Sequence, residues 1–145
     1  MNKFLFSLFM LSAPVIINAQ PQNKNKGAFD GQKYKAEITE DGKKKPLDPD
    51  DLSFMNGKFK SSLFVDWGFE KAGKYEITKI DSSNATAKVY SWTAELIDAQ
   101  DEKLEWSGSI TGDEIEGTIE YVSKKGSTKK TYTFTGKLKK KPGQK

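Results

Sequence analysis

The sequence predicts an all-β protein, an eight-stranded antiparallel up-and-down barrel. Three observations carry this. Alternating apolar and polar runs recur at short, regular intervals, turn-forming residues separate them, and no segment sustains the period of an amphipathic helix. An open sheet of that width would leave one apolar face uncovered, with no helix to cover it. Closing the first strand on the last buries that face and removes the sheet edges. An Ig-like β-sandwich is the alternative, but it needs longer Greek-key crossovers than this succession of hairpins supplies.

Taken in order, residues 1–19 (MNKFLFSLFMLSAPVIINA) place Lys3 before an apolar run from Phe4 to Ile17 and end on Ala19. This is the pattern of a Sec-type signal peptide cleaved after Ala19, too short and wrongly flanked for a membrane span. The chain is therefore expected to be periplasmic or secreted, with no stable membrane anchor after cleavage. Residues 20–31 (QPQNKNKGAFDG) are polar and contain glycine, and read as a flexible lead-in. A single β-barrel domain follows over residues 32–139, and residues 140–145 form a basic tail.

Strands are expected at Gln32–Glu40, Asp51–Met55, Lys58–Phe64, Lys74–Ile80, Ala85–Ile97, Lys103–Ile110, Glu114–Val122 and Thr128–Lys139. Pro46 and Pro49 keep the first connection irregular. Asn56-Gly57 suits a type I′ hairpin, because both central residues need positive φ. Phe54 then faces Phe59 and Met55 faces Lys58. A Gly112-Asp113 turn sets Ile110 against Ile115, Gly108 against Gly117, Trp106 against Ile119 and Leu104 against Tyr121. A Gly126-Ser127 turn sets Tyr121 against Tyr132, Ile119 against Phe134 and Gly117 against Gly136, with a register shifted by two residues as the alternative.

The strings "WSGSI", "IEGTI" and "FTGKL" each carry a glycine where an inward side chain belongs. Glycine inside a strand costs backbone entropy and removes a packing group. Two readings follow. The glycines let a closed sheet bend and let rings lie over bare backbone, or they line a concavity that admits a ligand. Trp67 and Phe69, in the loop after the third strand, are expected at a barrel rim, as a plug or as the lip of an entrance.

Composition narrows the chemistry. The chain has no Cys and no His, so it supplies neither a Ser-His-Asp or Cys-His pair nor the usual zinc or copper ligands. No disulfide forms, and no lipid attaches through Cys. Every basic residue is lysine, within a net charge of +4. Arginine's bidentate fork is missing, so no sequence-specific nucleic-acid recognition is expected. Asp48-Pro49-Asp50-Asp51 lacks the ligand spacing of an EF-hand and reads as a solvated turn. No catalytic residue, metal or cofactor is assigned.

The strings "DDLSFMNGKFKSSLFVDWGFEKAGKY", "LEWSGSITGDEIEGTIEY" and "YTFTGKL" resemble a family of small, uncharacterised exported bacterial proteins, regarded as lipocalin-like or calycin-like barrels. The likeness runs from Phe29 to about Leu138. It rests on Asp51-Leu52-x-Phe54, Asn56-Gly57-x-Phe59, Ser62, Gly68-Phe69, Tyr75 and Trp106-x-Gly108. Related chains often carry a cysteine near Ser62 to Phe64; Leu63 and Phe64 stand there instead, which removes any cysteine-based chemistry. The resemblance implies fold and export, and no established activity comes with it.

These readings converge on a non-enzymatic binding module for a small apolar or aromatic-compatible ligand, held in the interior or at the rim. Its contact candidates are Phe54, Phe59, Trp67, Phe69, Trp106, Gly108, Gly117, Tyr121 and Phe134. The alternative is a solid-cored structural or protein-interaction domain of the cell envelope, working through rim rings and lysines without a small-molecule ligand.

Overall fold

The computed structural model describes residues 27–143. The signal-peptide reading of residues 1–19 lies outside them. Strands β1 (Lys33–Glu40), β2 (Asp50–Met55), β3 (Lys58–Ser61), β4 (Gly73–Asp81), β5 (Val89–Ile97), β6 (Lys103–Thr111), β7 (Glu114–Val122) and β8 (Thr128–Leu138) are joined in sequence order, with one helical turn, α1 (Ser62–Val65), after β3. They form one closed antiparallel barrel in the order β1 to β8. The seam is β1 against β8, with Ile38 opposite Phe134. One closed sheet replaces the sandwich alternative.

Local chemistry sets most registers. Asn56 and Gly57 take φ of 54° and 71°, as a type I′ turn requires. Phe54 accordingly faces Phe59, and Met55 faces Lys58. β6 and β7 pair as the Gly112-Asp113 turn predicts, including Gly108 opposite Gly117 and Trp106 opposite Ile119.

The β7–β8 register is the shifted one: Ile119 faces Tyr132, Gly117 faces Phe134 and Ile115 faces Gly136. The turn there is longer than Gly126-Ser127. Ser123 N–H donates to the Ser127 carbonyl and Gly126 N–H to the Ser123 carbonyl, each at 2.8 Å. The longer turn sets Val122 opposite Thr128, and an irregularity of one residue between Tyr121 and Val122 leaves all further pairs two residues from the expected register.

Three expectations are corrected. β3 stops at Ser61 rather than Phe64, because Ser61 caps α1 and its hydroxyl donates to the buried Asp50 carboxylate. That carboxylate also accepts from the Ser62 hydroxyl at 3.0 Å and the Leu63 N–H at 2.9 Å, which turns the chain across the barrel end. Ala85–Lys88 belongs to the β4–β5 loop, where the Asn84 side chain accepts from the Thr86 N–H at 3.0 Å. The described part of the lead-in is packed: Phe29 is 4% exposed, and Gly31 N–H donates to the Phe54 carbonyl at 2.8 Å.

Candidate functional site

Strand alternation delivers Tyr34, Ile38, Leu52, Phe54, Phe59, Trp92, Leu104, Trp106, Ile119 and Phe134 to the barrel interior, where all are buried. Their rings touch one another across the lumen. Phe59 lies 5.1 Å from Phe54, 5.1 Å from Trp92 and 4.8 Å from Trp106 between ring centroids, and Phe134 lies 5.1 Å from Trp106. The volume a ligand would need is occupied by aromatic side chains.

The inward glycines serve this packing. Trp92, Gly108, Gly117 and Phe134 form one row across β5 to β8. A Cβ on Gly108 would sit 3.0 Å from the Phe134 ring, and one on Gly117 would sit 2.9 Å from it. Both would also strike backbone carbonyls, Glu116 at 2.4 Å and Ser107 at 2.2 Å. Bare backbone is what lets Phe134 lie down over two strands. Three polar atoms of this interior, Trp92 Nε1, Trp106 Nε1 and Tyr132 Oη, have no hydrogen-bond partner among the described residues.

α1 and the residues after it close one end. Phe64 and Phe69 are buried there as the plug, whereas Trp67 is 42% exposed. Trp67 is held edge-on by Phe64 at 4.9 Å and Tyr132 at 6.3 Å. Phe69 packs against Tyr121 at 5.9 Å. The Tyr121 hydroxyl donates to Glu102, which also accepts from Lys129, and the Lys129 ammonium lies 5.1 Å from the Tyr121 ring centre. The hydrogen bond to Glu102, with burial second, pushes the Tyr121 phenol up to about 12. The bonds from Lys129 and Tyr121 hold the Glu102 carboxyl below its usual range.

The opposite end is closed by the lead-in. Phe29 stacks on Tyr75 at 6.0 Å and meets Tyr90 edge-on at 5.4 Å. Its N–H donates to Tyr75 Oη at 3.0 Å, and that hydroxyl donates to Asp30 at 3.0 Å. Asp30 also accepts from the Gly57 N–H at 2.9 Å, tying the lead-in to the β2–β3 turn. Burial, the largest cause, pushes the Tyr75 phenol up to about 12. A depression of 340 Å³ beside this plug is lined by Phe29, Thr86, Lys88, Tyr90 and Ile110 among others.

The nine sequence-based candidates therefore separate. Phe54, Phe59, Trp106 and Phe134, with Gly108 and Gly117, share the filled interior; Phe69 and Tyr121 meet at the α1 end; Trp67 alone presents a broad exposed ring there. Sequence reasoning missed Phe29, Asp30 and Phe64 as closing residues. The only signal for the first was a single ring inside the polar string "KGAFDG". The larger concavities lie on the outer face: one of 690 Å³ is lined by Glu76, Glu95, Glu105 and Glu120 around Thr93 and Ser107. Among the described residues, no group of three or more His, Cys, Asp or Glu is placed to hold a metal ion.

Fold and interior together define a closed, aromatic-cored β-barrel. No family model, curated protein or solved structure matches the chain.

Proposed function

We propose that the protein is an exported, non-catalytic interaction domain with a solid core, and that it engages a protein partner of the cell envelope through its α1 end. The carrying observation is Trp67, which at 42% is the one aromatic ring in the exposed range among the described residues. Phe64 and Tyr132 fix its orientation, so little conformational entropy is lost on contact. Rigid, half-exposed tryptophans are the residues that dominate protein interfaces. The test is photo-crosslinking in the native host from a probe at Asp66, beside Trp67, with and without Trp67→Ala. A discrete adduct that disappears in the variant supports the reading; only uncrosslinked monomer in the first sample overturns it.

A second reading places a small apolar ligand carrying one hydrogen-bond acceptor in the interior. Its support is the unpartnered trio Trp92 Nε1, Trp106 Nε1 and Tyr132 Oη, since buried polar atoms ordinarily find partners. The packed rings would have to part to admit it. Native mass spectrometry of protein purified from its own host decides this: a stoichiometric added mass supports the ligand, and a clean apo mass removes it.

A further inference from the structure

β3 is too short to cover β4. Only Lys58 opposite Lys74 and Phe59 opposite Gly73 pair between them, and one more link, Tyr75 N–H to the Gly57 carbonyl at 3.3 Å, ends the contact. Glu76–Asp81 thus has β5 on one side and, among the described residues, no strand on the other. Among the described residues, this leaves an open edge on β4 at the Phe29 end of the barrel. Unpaired strand edges are templates for a further strand.

The edge carries a definite side-chain order. Pairing with β5 turns Ile77 and Ile80 inward, beside Trp92 and Tyr90, and turns Glu76, Lys79 and Asp81 outward, beside Thr93, Ser91 and Val89. Ile80 is 39% exposed, which leaves apolar surface for an added strand to cover. Thr78 is the extra residue of a bulge between Ile77 and Lys79. A bulge and an edge lysine are devices that block indiscriminate pairing, so pairing here depends on side-chain match.

A second copy does not match. With Thr78 outside the ladder as the bulge residue, the run Glu76, Ile77, Lys79, Ile80, Asp81 centres on Lys79, and two-fold pairing about that centre would set Lys79 against Lys79 and Glu76 against Asp81. Like charges directly opposite destabilise a ladder. The complementary strand reads basic, apolar, acidic, apolar, basic, facing Asp81, Ile80, Lys79, Ile77 and Glu76 in turn. We infer that β4 is a docking edge for an extended segment of a partner protein with this alternating order, added antiparallel where β3 stops. This surface is at the other end of the barrel from Trp67 and stands independently of it.

The test uses the purified chain and two labelled peptides, with the cores Lys-Val-Glu-Val-Lys and Glu-Val-Lys-Val-Glu. The chain's net charge of +4 favours the second by bulk attraction, so preference for the first reports the edge. The expected result is saturable binding of the first peptide, on the order of fivefold or more tighter than the second. It comes with slowed amide exchange at Ile77–Asp81. Lys79→Glu, at an exposed site, should transfer the preference to a core with a central lysine. Equal affinity for both peptides, or no binding of the first up to about 1 mM, overturns the proposal. So does a dimer without peptide, which gives the edge to a second copy. Binding that appears only after residues 20–26 are removed overturns it too, by giving the edge to the chain's own leading segment.

Discussion

Gly108 lies directly opposite Gly117 on the inner face, and the ring of Phe134 lies over both, opposite Gly117 on the next strand. The pair joins sheet curvature to core packing: a side chain on either residue would meet the ring and a neighbouring carbonyl together. Gly117→Val is therefore expected to destabilise the fold by at least about 1–3 kcal/mol through overpacking. Urea unfolding followed by tryptophan fluorescence checks this, and an unchanged midpoint would reject the filled-interior description.

Phe29 should behave as a core residue despite its place in a polar lead-in. Phe29→Ala removes a ring that is 4% exposed and touches Phe54, Tyr75 and Tyr90. The expected loss is about 3 kcal/mol or more in equilibrium unfolding. A loss below about 0.5 kcal/mol would show that the lead-in is not part of the cooperative unit.

Asp50 organises the turn that aims Phe64 inward. In Asp50→Ala the Leu63 N–H and the buried Ser61 hydroxyl lose their acceptor, at about 1–3 kcal/mol for each group left unpaired. The thermal midpoint should fall and Trp67, held edge-on by Phe64, should become more accessible to acrylamide quenching. Unchanged quenching would separate the carboxylate from the placement of α1.

Alkaline pH should unfold the barrel through its tyrosines. Burial pushes the phenols of Tyr34 and Tyr75 up to about 12, with Asp113 adding to the first; hydrogen bonding to Glu102 does the same for Tyr121. Folded pKa values above the unfolded value of 10.0 mean that the folded chain holds these protons longer. Their contribution to stability is complete below pH 10 and is lost as pH rises toward about 12. Phenolate absorbance and near-UV circular dichroism should change together across that window. More than two of the five phenolates formed near pH 10 with intact dichroism would contradict the protection of these three groups.

Much of the barrel was legible because its information is local. Asn56-Gly57 and Gly112-Asp113 each set a two-residue turn, and a two-residue turn sets the register of every pair beyond it. The Ser123–Ser127 connection is longer, and its own hydrogen bonds choose between two registers that bury the same faces. The end of β3 was misplaced for a related reason. "KFKSSLF" alternates like a strand, and only the Asp50 carboxylate, brought alongside by β2, turns its last residues into α1.

Alternation, turn residues and composition act within a few residues, and they set the strand count, the inward set of rings and the absence of Cys and His chemistry. Whether those rings surround a space or fill it is a matter of long-range packing. That outcome depends on how far side chains from opposite walls reach across the lumen, and Phe59 meeting both Trp92 and Trp106 is a relation among three separate strands. That β4 outruns β3 is likewise a long-range matter, because the length of a strand's partner is set by where another part of the chain turns away.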